Sequence, residues 1–130
     1  MDVFVYGTLT EPERVSAVVD SFVFLGAAVL EGCHPVAGRY PTLAPGGRTA
    51  GRLLRTDGVD ALDDYEAVDE GLYVRVDAPR TDGGTVAVYV GDPEALASDE
   101  PVTWPGDGTF EERVRRYFAD GSAAVRPEHS

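Results

Sequence analysis

Residues 57–90 read DGVDALDDYEAVDEGLYVRVDAPRTDGGTVAVYV, a helix-length segment followed by two strand-length segments. Val59, Leu62 and Glu66 fall at i, i+3 and i+7, so they share one helical stripe and the Glu66 carboxylate lies on the face that turns to the core. Asp57 is placed to cap this helix, which the spacing carries to about Ala67, and Asp60 complements its dipole. Residues 72–78 and 85–90 then alternate as strands, and Thr81-Asp82-Gly83-Gly84 between them is a hairpin signal. Tyr73, Arg75 and Asp77 share one strand face, and Leu72, Val74 and Val76 the other. A tyrosine and an arginine on one face just after Glu66 can line a polar cavity. The remaining acids, Asp63, Asp64, Asp69 and Glu70, read as a solvated face.

Upstream, residues 3–9 are VFVYGTL, a β-prone run stopped by Gly7. Glu11-Pro12-Glu13 opens a helix that continues through Val15, Val18 and Val19. Residues 22–32 and 50–56 read as strands, separated by a glycine- and proline-rich loop over 35–47 that contains Gly38-Arg39-Tyr40-Pro41. Downstream, a loop carrying Trp104-Pro105-Gly106 leads to Thr109, which caps a last helix with Glu112 at the capping-box position. Phe110, Val114, Tyr117 and Phe118 are its core-facing residues. From about Asp120 the pattern fades, so the reading is one α+β domain over 1–119 with a flexible tail over 120–130.

A chain of 130 residues is one average domain and buries about two thirds of its unfolded surface without metals or disulfides. No apolar run approaches the roughly 20 residues a membrane helix needs. The amino terminus runs from an acid straight into a strand, unlike a secretory leader. The expectation is a soluble cytoplasmic protein, a monomer or weak homodimer. The formal net charge is −12, and all 11 basic residues are arginine. Such a surface repels phosphate backbones and anionic lipid, which argues against nucleic-acid and membrane partners. Lysine-free acidity resembles the surfaces of proteins from salt-accumulating halophiles and predicts stability that rises with salt, because molar salt shortens the Debye length to about 3 Å.

The single Cys33 cannot form an internal disulfide, and no CxxC or HExxH spacing offers a metal site. Cys33 sits in an apolar stretch where a buried inert thiol is the plain alternative to a nucleophile. His34 and His129 are poorly placed as catalytic bases, so a triad lacks its central member. Three elements are left to carry chemistry. Glu66 is either a proton-transfer group of raised pKa or half of an ion pair with Arg75 or Arg52. The Tyr6-Gly7-Thr8-Leu9 turn either presents backbone N–H groups to an anion or is an ordinary turn. Tyr73 either orients a polar partner or packs in the core. Tyr40, Tyr89, Trp104 and Arg75 are further wall residues whose roles stay open.

VFVYGTL at 3–9, Gly38-Arg39-Tyr40-Pro41, Ala50-Gly51-Arg52-Leu53, Leu62-Asp63-Asp64-Tyr65-Glu66, Leu72-Tyr73-Val74-Arg75-Val76 and Ala87-Val88-Tyr89-Val90 stand in one order. Together they resemble the gamma-glutamylcyclotransferase-like superfamily, close to its small AIG2-like members, over about residues 2–118. The resemblance implies a small mixed β-barrel or strongly curved sheet with a few flanking helices. It also implies an enzyme, without metal or cofactor, that cleaves a small-molecule γ-glutamyl amide. In that reaction the substrate's own α-amine attacks its γ-carbonyl and releases 5-oxoproline and an amine or amino acid. On this resemblance Glu66 is the general acid and base, and Tyr6, Gly7, Thr8, Leu9 and Tyr73 bind substrate. The alternative is a noncatalytic domain that keeps the pocket to sense a small metabolite. One departure is Thr10-Glu11-Pro12-Glu13-Arg14, where many relatives carry a basic, asparagine-containing segment, so the outer part of the substrate is expected to differ.

Overall fold

The computed structural model describes residues 1–36, 42–66, 68, 70–93 and 102–128. Among the described residues six strands form one mixed sheet in the order β4-β5-β1-β3-β2-β6. They are β1 (Asp2–Val5), β2 (Phe22–Val36), β3 (Thr42–Thr56), β4 (Tyr73–Pro79), β5 (Thr85–Gly91) and β6 (Ala124–Pro127). Among the described residues the helices are α1 (Pro12–Val18), α2 (Val59–Tyr65) and α3 (Phe110–Ala119). Among the described residues no helix is long and apolar enough to cross a membrane.

The sheet curls into a half-barrel, the α+β architecture of a strongly curved sheet with flanking helices that the sequence motifs imply. β1 lies mid-sheet, antiparallel to β3 and parallel to β5. The two edges approach at one point, where Arg80 bridges Val125 and the Thr81 N–H donates to the Val125 carbonyl at 2.9 Å. Bulges between Phe24 and Gly26 and between Glu31 and Cys33 bend the long β2–β3 ribbon.

Each sheet face has its own core. Phe4, Leu30, Cys33, Leu43, Val76, Val88 and Val125 pack on one side with Val114 and Phe118 of α3. Val3, Val5, Leu54, Tyr73, Ala87 and Tyr89 pack on the other with Val15 of α1 and Leu62 of α2. This partition is what strand alternation dictates: Val74 and Val76 turn one way and Tyr73 the other. Trp104 is core rather than rim, 3% exposed and edge-on to Tyr117 at 5.2 Å. Cys33 is fully buried, and burial pushes its thiol up to about 12, which makes it inert.

Several expectations from the sequence are corrected. The segment beyond Asp120 is no loose tail: β6 pairs with β2 from Ala28 to Glu31, because Ala123 and Val125 supply apolar side chains that the inner core buries completely. Most of the expected loop over 35–47 is strand, with Pro35 opposite Leu43 and Cys33 opposite Pro45. Among the described residues β1 pairs with 52–55 of β3 and does not reach Pro45 in the outer part of that strand. Tyr40 and its neighbours at 37–41 lie outside the described residues. Asp57 does not cap α2: Gly58 holds the N-cap position, and its N–H donates to Thr56 Oγ1 at 3.0 Å. The Thr109–Glu112 capping box of α3 forms as expected.

Candidate active site

β1 delivers Tyr6 and Gly7 to one end of the sheet. Gly7 has φ +70, a left-handed conformation that suits glycine, and it starts a single 3-10 turn over Gly7–Thr10. The turn is pinned at its far end, where Arg52 Nη1 donates to the Thr10 carbonyl at 2.9 Å while the same guanidinium lies 3.9 Å over the Phe24 ring. Thr8 and Leu9 occupy the middle of the turn. Tyr6 stacks on Phe4 and donates its hydroxyl to the Tyr89 carbonyl at 2.5 Å.

α2 is two turns long and stops one residue before Glu66, which takes the C-cap position and donates its N–H to the Leu62 carbonyl at 2.9 Å. Glu66 is half-buried, and desolvation raises its carboxyl from an ordinary 4.5 to about 7. The Tyr6 hydroxyl is raised well above its ordinary range, first by burial and then by the charges of Tyr73 and Glu66. Tyr6, Glu66 and Tyr73 therefore share one electrostatic neighbourhood although they come from three elements. Tyr73 is 8% exposed and belongs to the same apolar cluster as Leu62 and Tyr89. Among the described residues no ion pair reaches Glu66: Arg75 pairs with Asp63 at 3.0 Å, and Arg52 is committed to Thr10 and Phe24.

Asp63 was expected on a solvated face, yet it is a junction. Its Oδ1 accepts from the Tyr89 hydroxyl at 2.6 Å and its Oδ2 from Arg75 Nη1 at 3.0 Å. Burial and the bond to Asp63 push the Tyr89 hydroxyl far up. The signal that could have found this was available: Asp63 lies three residues before Glu66, and Arg75 and Tyr89 face one another across the hairpin. The general acidity of the chain hid it. Among the described residues no group of three or more His, Cys, Asp or Glu side chains is placed to hold a metal ion.

The arrangement offers a half-buried carboxyl pushed up to about 7 by desolvation, a tyrosine hydroxyl that feels its charge and a glycine-started turn at the end of a central strand. The chain belongs to the family described as "Gamma-glutamyl cyclotransferase, AIG2-like", which matches residues 3–107. Solved structures agree on the fold. One titled "Gamma-glutamyl cyclotransferase" is 18% identical, with TM-score 0.57, covering 89% of this chain and 98% of its own. The uncharacterised protein PH0828 from Pyrococcus horikoshii is 19% identical with TM-score 0.57, covering 90% and 96% respectively. At3g28950.1 from Arabidopsis thaliana is 26% identical with TM-score 0.53, covering 92% and 74%. No curated protein sequence matches the chain.

Proposed function

We propose that this protein is a cyclotransferase acting on a γ-glutamyl amide, amine or peptide, as a cytoplasmic monomer or weak homodimer without metal or cofactor. The observation that carries the reading is Glu66, a half-buried carboxyl raised to about 7 by desolvation, whose charge acts on the Tyr6 hydroxyl. Near neutral pH about half of it is ionised, which suits a group that must both accept and return a proton.

The Glu66 carboxylate takes a proton from the substrate's α-ammonium, and the freed amine attacks the γ-carbonyl carbon. A carbon–nitrogen bond closes the five-membered ring while the oxyanion forms. N–H groups of the Gly7–Leu9 turn stabilise that oxyanion and the substrate carboxylate, where fixed donors act most strongly. The γ-amide bond then breaks: its nitrogen takes the proton that Glu66 received, the ring nitrogen gives its surplus proton back to the Glu66 carboxylate, and that proton ends on the released amine as its ammonium form. The products are 5-oxoproline and an amine or amino acid. Tyr6 and Tyr73 hold the substrate in the folded shape that brings amine and carbonyl together.

The test is release of 5-oxoproline, measured by mass spectrometry, from a panel of γ-glutamyl amino acids, peptides and amines. Turnover is expected on at least one member and is lost in Glu66→Gln with the circular dichroism spectrum unchanged. Saturable binding of a panel member with no turnover would replace this reading with a metabolite-sensing one.

A further inference from the structure

We infer that Tyr89 and Asp63 form a positioning pair that holds the Glu66 turn and the Tyr6 turn at a fixed separation. The inference rests on the proposed reaction at Glu66 and adds to it how the carboxyl is held in place.

α2 cannot hold itself. It has seven residues, no side-chain bond at its N-cap and one fully buried side chain, Leu62. A helix this short is marginal without tertiary support. The support at its C-terminal end converges on Asp63. Its two carboxylate oxygens are tied to Tyr89 and Arg75, residues directly paired between β5 and β4. Its backbone carbonyl accepts from the Val68 N–H at 3.0 Å, so Glu66 lies inside a loop closed by Asp63. An anchor on Asp63 is thereby an anchor on both sides of Glu66.

Tyr89 extends the anchor to the other half of the site. Its hydroxyl grips Asp63 while its carbonyl accepts the Tyr6 hydroxyl at 2.5 Å. A single β5 residue thus touches the helix that carries Glu66 and the strand end that carries Gly7. Arg75, the arginine of the YxR motif, is thereby occupied with Asp63 rather than presented to a substrate. The Tyr6 hydroxyl feels the charges of Glu66 and Tyr73, and the Asp63–Arg75 pair stands three residues before Glu66 in the chain. Removing the Tyr89 hydroxyl changes none of their formal charges, so any response of Glu66 reports position and hydration.

The experiment compares wild type, Tyr89→Phe and Asp63→Asn for kcat and KM on a panel substrate. It also follows the Glu66 carboxyl carbon by NMR titration. Tyr89→Phe is expected to lower kcat about 10- to 100-fold, the scale of a misplaced catalytic group, with a smaller change in KM. The Glu66 midpoint should fall from about 7 towards 4.5 as the turn loosens and water enters. Tyr89→Phe with a lower melting temperature but unchanged kcat and an unchanged Glu66 midpoint would make the pair a plain structural tie and overturn the inference. Absence of turnover by the wild type on any γ-glutamyl compound would remove the proposed reaction alone. The Glu66 midpoint in Tyr89→Phe would still decide the positioning, a fall supporting it and no change refuting it.

Discussion

Tyr117 of α3 donates its hydroxyl to the Gly32 carbonyl at 2.6 Å, which fastens the helix to the bulge of β2. Gly32 has φ +94, and a Cβ there would collide with the Ser122 carbonyl oxygen just before β6. The bulge, the last helix and the last strand therefore meet on one glycine. Gly32→Ala is expected to cost more than about 3 kcal/mol, because backbone conformation and backbone contact both oppose it. Tyr117→Phe should cost about 1 kcal/mol, the net value of one hydrogen bond. Gly83→Ala, at φ +105 with open space around it, is the control and should cost about 1 kcal/mol. Urea unfolding ranks the three, and a Gly32→Ala loss no greater than that of Gly83→Ala would refute the close approach.

The Glu66 carboxyl makes stability depend on pH in a direction opposite to that of a salt-bridged acid. Its folded value of about 7 exceeds the ordinary 4.5, so within that window the folded chain binds more protons than the unfolded one. Stability contributed by this group is full below about pH 4.5, falls as pH rises towards 7 and stays low above it. Glu66→Gln should match wild type near pH 4.5 and exceed it at pH 8 by at most about 3 kcal/mol. Urea midpoints at the two pH values measure this, and an equal difference at both would contradict it.

Deleting residues 123–130 is expected to prevent folding or to cost several kcal/mol, since Ala123 and Val125 vanish from the core and β2 loses its outer partner. A thermal melt of the truncated chain is the check. A truncated protein as stable as the full chain would restore the view of this segment as a loose tail.

Salt should stabilise the protein. The formal net charge of −12 repels itself, while the exposed arginine pairs, such as Arg115 with Glu111, are worth little and lose little on screening. Between 0.1 and 2 M KCl the melting temperature is expected to rise by about 4 °C for each kcal/mol of repulsion relieved. A flat or falling curve would count against a halophilic design.

Periodicity made the elements around the site legible in the sequence. Alternation over 73–78 separated Tyr73 from Val74 and Val76 correctly, while Leu72, read on the Val74 face, precedes β4 and packs with the Tyr73 cluster; Pro12 and Thr109 marked their helix starts. Glu66 was visible because a carboxylate on an apolar stripe is unusual, and burial does raise it. Asp63 was not, because one acid among several looks solvated until the strands carrying Arg75 and Tyr89 are folded beneath it. β6 was missed for a related reason. Four residues containing arginine and proline have little strand propensity, and only a preformed β2 edge makes them a strand.

The seam between Arg80 and Val125 also sets a timetable. β1 precedes β3 and β5 in the chain yet lies between them in the sheet, and β6 follows the other five described strands. Until Val125 is available the nascent chain presents β2 as an open edge, a template for pairing with other chains. Premature termination anywhere upstream of this strand would leave that edge exposed for cellular quality control to recognise.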